Sequence, residues 1–279
     1  MMTFDTEFEF IRADEFFDKE FPKLDWTVRN LVEQGTFVVL GGEPKTSKTW
    51  ASLEIALSVA SGKPAFNNPD FKTIPRPVFL FLLEDGEANV QARLSALASS
   101  KGMGKDALRM MPLFVRCRKP VSIDEDVHSI IATVRSYMLD LRHLDPRPGL
   151  IMVDPLRNAH HKEENDSGQM RHVMDACLKI RNETGFSLMI NHHFKKIPKN
   201  QEESPGYAMR GSSSIYGSVD GIIGMRKIDC EERNTWKNNL SCQVKAGPQA
   251  RPFGLTLQVQ DSAETGRAVH ADWICSDLF

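Results

Sequence analysis

The sequence predicts an α/β fold: a mostly parallel sheet flanked by helices, carrying a β-rich C-terminal extension of the same sheet. Three observations predict it. Short continuous apolar segments alternate with longer helix-forming segments from about residue 36 to residue 190, and strands of that kind are buried on both faces. The first of these strands ends in Gly41-Gly42, then a short polar loop, then Lys48-Thr49 at the head of a helix-forming run. From about residue 218 the pattern changes to strands separated by turns.

Along the chain, residues 1–30 form an arm rich in Phe, Asp and Glu, and residues 31–279 form one domain. Within the arm, Asp14 to Phe21 is expected as a short helix with Phe16, Phe17 and Phe21 on one face, ended by Pro22. It would pack on its own domain or on a neighbour, or fray as a terminus. Strand 36–40 then leads to helix 48–61, strand 77–82 to helix 87–100, and strand 112–116 to helix 125–143. Strand 149–153 leads to helix 167–184, and strand 186–190 follows. The most loop-like stretch is 194–213, and the closing strands are 219–227, 239–245, 253–260 and 267–274.

Composition narrows the class. With 279 residues and 41% hydrophobic content, the chain can bury a sizeable core. A net charge of −2 excludes a basic bulk that would hold nucleic acid nonspecifically, so contact with DNA or RNA requires local patches or a ring of repeated subunits. The five cysteines are scattered without a C-x-x-C pair, as expected of reduced thiols in a cytoplasmic protein. No apolar run approaches the ~20 residues of a membrane span, and the acidic, aromatic N-terminus is unlike a secretory signal.

Residues 36–54 have the strand–loop–helix layout of a phosphate-binding loop. Successive backbone N–H groups and the positive end of the helix would converge on phosphates. The candidate nucleotide-binding residues are Gly42, Glu43, Pro44, Lys45, Thr46, Ser47, Lys48, Thr49 and Trp50. Lys48 would reach the β- and γ-phosphates of ATP, and the Thr49 hydroxyl would hold Mg²⁺. The pattern G-x-x-x-x-G-K-[ST] has glycine where this chain has Ser47. Glycine suits that position because a Cβ resists the required backbone conformation. Ser47 is small, and its hydroxyl could itself donate to a phosphate.

Five further motifs bear on chemistry, the last of them weakly. Asp154 ends the strand Gly149–Val153, where a phosphate-loop ATPase puts its Mg²⁺-organising carboxylate; the plainer reading is that Asp154-Pro155 ends a strand. Glu84 and Asp85 end another strand, where a carboxylate could orient or deprotonate water, or could cap the next helix. Asn191-His192-His193 follows an apolar strand; adjacent His side chains make a poor metal pair, but one could sense the γ-phosphate. Arg210 lies in a Gly/Ser-rich setting and could be presented to phosphate across a subunit interface, or could be an ordinary loop arginine. Lys245 and Arg251, around a turn, are a weaker signal.

In this order the motifs resemble those of the RepA-like branch of the RecA/DnaB ATPases, the small hexameric helicases of plasmid replication and their relatives. The resemblance begins at Leu24-Asp25-Trp26 and runs through Gly42–Thr49, Leu83-Glu84-Asp85, Val153–Arg157, Asn191–His193 and Arg210–Ser213 to Lys245. It implies a RecA-like P-loop ATPase domain over 31–279 that binds ATP and Mg²⁺. It makes Glu84 the catalytic base, Asp154 with Thr49 the Mg²⁺ ligands, and His192 or His193 the γ-phosphate sensor. Arg210 would be an arginine finger from the next subunit of a homo-oligomeric, hexameric ring, and Lys245 part of an interface element. Within 194–213, the loop Lys195–Ser204 would correspond to loops that face a central channel, and its lysines would track single-stranded DNA or be simply solvated. The first functional expectation is therefore a ring-forming ATPase acting on DNA, a helicase of a plasmid or mobile element. The second is a nucleotide-dependent switch or scaffold acting on a protein partner.

Overall fold

The computed structural model describes residues 10–21, 23–142, 146–194, 213–244 and 250–278. Arg210, Lys245 and most of the loop 194–213 therefore lie outside the described residues. A short helix, α1 (Ala13–Phe17), precedes a hairpin of β1 (Trp26–Val28) and β2 (Val32–Glu33). Then come β3 (Phe37–Gly42), α2 (Lys48–Ser61), β4 (Val78–Leu82), α3 (Glu87–Ser100), α4 (Lys105–Arg109) and β5 (Leu113–Cys117). They are followed by α5 (Val127–Asp140), β6 (Leu150–Asp154), α6 (Ser167–Thr184), β7 (Ser187–His193) and α7 (Ser213–Ser218). The chain closes with β8 (Gly221–Ile228), β9 (Thr235–Val244), β10 (Phe253–Asp261) and β11 (Ala268–Ser276).

Nine strands form one sheet in the order β11-β10-β9-β8-β3-β7-β6-β4-β5. From β8 to β5 all neighbours are parallel, whereas β9, β10 and β11 run antiparallel to their neighbours. The expected C-terminal extension of the parallel sheet is thus present. The inner parallel strands β3, β6 and β7 bury nearly every residue, which is why they read as unbroken apolar runs rather than alternating ones.

One face of the sheet carries α2 and α3 together with the hairpin, Phe66, Phe71 and Trp273; the other carries α5 and α6 against Phe37, Val39, Phe79 and Ile190. Helix α2 is buried on almost every side, so it shows little amphipathic patterning. Its Glu54 is buried with Lys101 beyond the end of α3, at 2.6 Å. Helix α3 also touches β11, where Ser99 hydrogen-bonds His270 at 3.1 Å. The antiparallel strands therefore brace the same helices that cover the parallel part.

Several boundaries differ from the sequence-based expectation. The arm helix ends at Phe17, and Phe16 contacts both Phe17 and Phe21 while all three remain exposed. Residues 25–34 are tied to the domain: Arg76 donates to both Asp25 oxygens at 2.7–2.8 Å, and the Thr27 and Ser187 hydroxyls lie 2.8 Å apart. Strand β7 continues to His193 instead of ending at residue 190, because pairing with β3 extends through Gly42↔His193. Strand β9 begins at Thr235, four residues early, because it follows the long β8 through Ile228↔Lys237. Among the described residues, no helix is long and apolar enough to cross a membrane.

Candidate nucleotide-binding and catalytic site

Sheet register builds the site. Leu82 pairs with Asp154, Val153 with Ile190, and Leu40 with Asn191, so β4, β6, β7 and β3 end on one edge. In a parallel sheet that carboxyl edge is where ligands gather. An open cavity of about 410 Å³ lies there, lined by the loop Lys45–Trp50 and by Glu84, Asp85, Asp154, Asn191, His192 and His193. The side chains of three separate strand ends and one loop meet in this space.

The loop leaves β3 through two glycines with no room for a side chain. A Cβ on Gly41 would collide with the Phe194 ring, and one on Gly42 would lie 2.8 Å from Met225 O and Thr46 Oγ1. Thr46 Oγ1 donates to Glu43 O at 2.9 Å and holds the turn closed. Lys45 and Ser47 both have left-handed backbones, with Ser47 at φ 60°, ψ 28° immediately before α2. The requirement for left-handed backbone at position 47 explains why glycine suits it. Ser47 meets the requirement while making no side-chain cap to the helix.

Lys48 Nζ donates to Gly42 O at 3.0 Å and Glu43 O at 2.8 Å. Burial pushes its pKa down to about 8, opposed by the attraction of Asp154, Glu43 and Glu84. Three carboxylates thus favour the charged form of one buried ammonium. The N–H groups of the first turn of α2 have no intrahelical acceptors, as at any helix start, and they add partial positive charge beside Lys48.

Asp154 is buried at the end of β6. Burial raises its pKa, while the Thr49 hydroxyl and the Asn191 amide beside it pull the other way, and Asp85 and Glu84 push it up. Its Oδ2 is buried without a hydrogen-bond partner among the described residues. An unsatisfied carboxylate oxygen next to the Thr49 hydroxyl is a donor set of hard oxygens that fits Mg²⁺. Asn191 is itself fixed, its Oδ1 accepting from Ser52 Oγ of α2 at 2.8 Å.

The two carboxylates that end β4 have different surroundings. Asp85 pairs with Arg93 of α3 at 2.6 Å, and Arg93 lies over the Trp50 ring at 5.4 Å. Glu84 is exposed and has no ion pair among the described residues. Neither caps α3, whose N-cap is Gly86 without a side-chain cap bond. His192 is buried with Nδ1 4.0 Å from Glu164 Oε1, and His193 beside it is half-buried.

The cavity also contains residues to which the sequence assigned no role. Asn191 belongs to a quoted motif, but its place between Ser52 and Asp154 depends on the β3–β7–β6 register. Arg93 sits mid-helix with no local signal and reaches back to Asp85, just before the start of α3, at 2.6 Å. Trp236 enters through the early start of β9.

Comparisons with known proteins agree with this architecture. The structure is similar to a solved ATPase domain, with a TM-score of 0.56 and 15% sequence identity over 85% of each chain. It is equally similar, at a TM-score of 0.56 and 15% identity, to a DnaB-like replicative helicase whose structure was described with its interactions with primase. There the match covers 85% of this chain and 57% of that one. The chain therefore shares the RecA-like fold of these two proteins. The AAA domain family model matches residues 5–198, the span that carries the phosphate loop, Glu84, Asp154 and the β7 histidines, and the chain belongs to that family.

Proposed function

We propose that the protein is a ring-forming, RepA-like ATPase of the cytoplasm that hydrolyses ATP with Mg²⁺ and acts on single-stranded DNA. The observation that carries this reading is the meeting of Lys48, Thr49, Asp154 and Glu84, which has no ion pair among the described residues, at one cavity on the carboxyl edge of the sheet. The loop N–H groups would hold the triphosphate, and Lys48 would exchange the carbonyls of Gly42 and Glu43 for phosphate oxygens. Thr49 and Asp154 would hold Mg²⁺, which when bound neutralises charge on the phosphates. Glu84 takes the proton of the attacking water as its oxygen bonds to the γ-phosphorus and the β–γ bridge breaks, leaving ADP and phosphate. Asp85 is occupied by Arg93, so Glu84 is the freer of the two bases. His192 or His193 registers the γ-phosphate at the end of β7, from which the DNA-contacting loop 194–213 departs. Arg210, supplied by the neighbouring subunit, and Lys245 complete the site.

Mass measurement with and without ATP, paired with an ATPase assay with and without oligothymidylate, tests the reading. ATP-dependent assembly into a ring and DNA-stimulated turnover are expected. A monomer in ATP with DNA-independent turnover refutes it. A second reading, a nucleotide-dependent switch acting on a protein partner, is favoured by the exposed aromatic side chains of the arm, Phe10, Phe17 and Phe21. ATP-dependent assembly without any DNA effect would select it.

A further inference from the structure

A second cavity, of about 490 Å³, opens beside the nucleotide site where the chain leaves β5 and β6. Arg118, Lys119, Arg157, Asn158, His160 and His161 line it, and no carboxylate does among the described residues. In a chain of net charge −2, that concentration of one sign is local and specific. Arg118, Lys119, Arg157 and His161 are exposed, whereas His160 is buried. The Lys162 N–H donates to His160 Nδ1 at 3.1 Å, which leaves the proton of the neutral ring on Nε2. Burial keeps that ring neutral, with Glu164 opposing and Arg157 assisting. Among the described residues Nε2 has no partner, so the wall of a cationic cavity contains an unsatisfied donor.

Arg118 also touches the catalytic strand. Its backbone N–H donates to Leu82 O at 2.9 Å, and its Nε donates to Glu84 O at 3.0 Å. One guanidinium therefore holds the backbone of Glu84 through Nε, lies beside Gly86, and also lines the cavity. A planar fork can make both interactions together, and a lysine cannot.

We infer that this cavity binds a phosphate group of the single-stranded nucleic acid backbone, and that Arg118 couples its occupancy to the position of Glu84. The inference rests on the proposed DNA-stimulated ATPase. The shared chemistry is a phosphate oxyanion, which a phosphodiester or free phosphate could supply. Arg118 is a positioning residue: it acts on turnover through the Glu84 backbone.

The test measures anisotropy of labelled oligothymidylate on the full chain with a non-hydrolysable ATP analogue, across a salt series. Lys119→Ala with Arg157→Ala should weaken binding roughly threefold or more for each cation removed and flatten the log–log salt slope by about 0.7 for each phosphate left unneutralised. Lys119→Arg should retain both. Arg118→Lys should keep most oligonucleotide affinity but lose the ratio of stimulated to basal turnover. Tight binding of inorganic phosphate that oligothymidylate fails to displace would overturn the nucleic-acid assignment. If the wild-type chain binds and responds to oligothymidylate while the double variant keeps its affinity and slope, the cavity is refuted and the ATPase reading stands. If the wild-type chain neither binds nor responds, both fall.

Discussion

Replacing Ser47 by glycine removes a Cβ from a backbone held at φ 60°, ψ 28°. For a residue with a side chain, that left-handed conformation costs about 1–2 kcal/mol. Glycine relieves this but loses about 0.5–1 kcal/mol more chain entropy on folding. No helix cap is lost, because the Ser47 side chain makes no cap bond. The balance is a gain of about 0.5–1 kcal/mol, which for a domain of this size raises Tm by about 1–4 °C. The same substitution clears the point where the loop backbone approaches phosphate, so ATP turnover should be kept or raised. Thermal unfolding without nucleotide and steady-state ATPase rates measure the two effects separately. A lower Tm would refute the strain argument. A stable variant whose turnover fell tenfold would show that the Ser47 hydroxyl is itself a phosphate ligand.

Other perturbations separate the remaining roles. Lys48→Ala should abolish tight ATP binding, and undiminished affinity in a fluorescent-nucleotide titration would overturn the loop assignment. Glu84→Gln should bind ATP and stall hydrolysis; Asp85→Asn should retain most turnover, with the main effect on the Arg93–Trp50 stacking, and the opposite ranking in rate assays would exchange the two roles. Lys101→Met leaves Glu54 buried without its ion-pair partner and should cost about 3–5 kcal/mol in chemical denaturation; a loss under ~1 kcal/mol would mean that Glu54 is neutral in the folded protein. Arg210→Ala should bind ATP, lose on the order of 10³-fold or more in turnover, and regain part of it when mixed with Lys48→Ala subunits, since some interfaces then pair an intact Arg210 with an intact loop. Failure of that rescue, with a monomeric mass in ATP, would remove the trans mechanism.

Helices α2, α3 and α6 begin and end where the sequence placed them because their boundaries are local. Asp166 accepts from the Gly168 and Gln169 N–H groups at the start of α6, and Gly62 and Gly185 take left-handed conformations after α2 and α6. The parallel strands were legible because burial on both faces leaves continuous apolar runs. The phosphate loop was legible because close backbone approach restricts its residue types within a few positions. None of these signals reaches across the sheet. The chain does not announce that β3 lies between β7 and β8, yet this register sets Asn191 between Ser52 and Asp154. It does not distinguish Glu84 from Asp85; the packing of α3 does so by delivering Arg93 to one of them. The Asp25–Arg76 tie and the cationic cavity around Arg118 and Arg157 also join residues far apart in sequence. Backbone conformation and burial are written into short windows of sequence, whereas the pairing of charged side chains depends on which elements become neighbours, and only the folded sheet decides that.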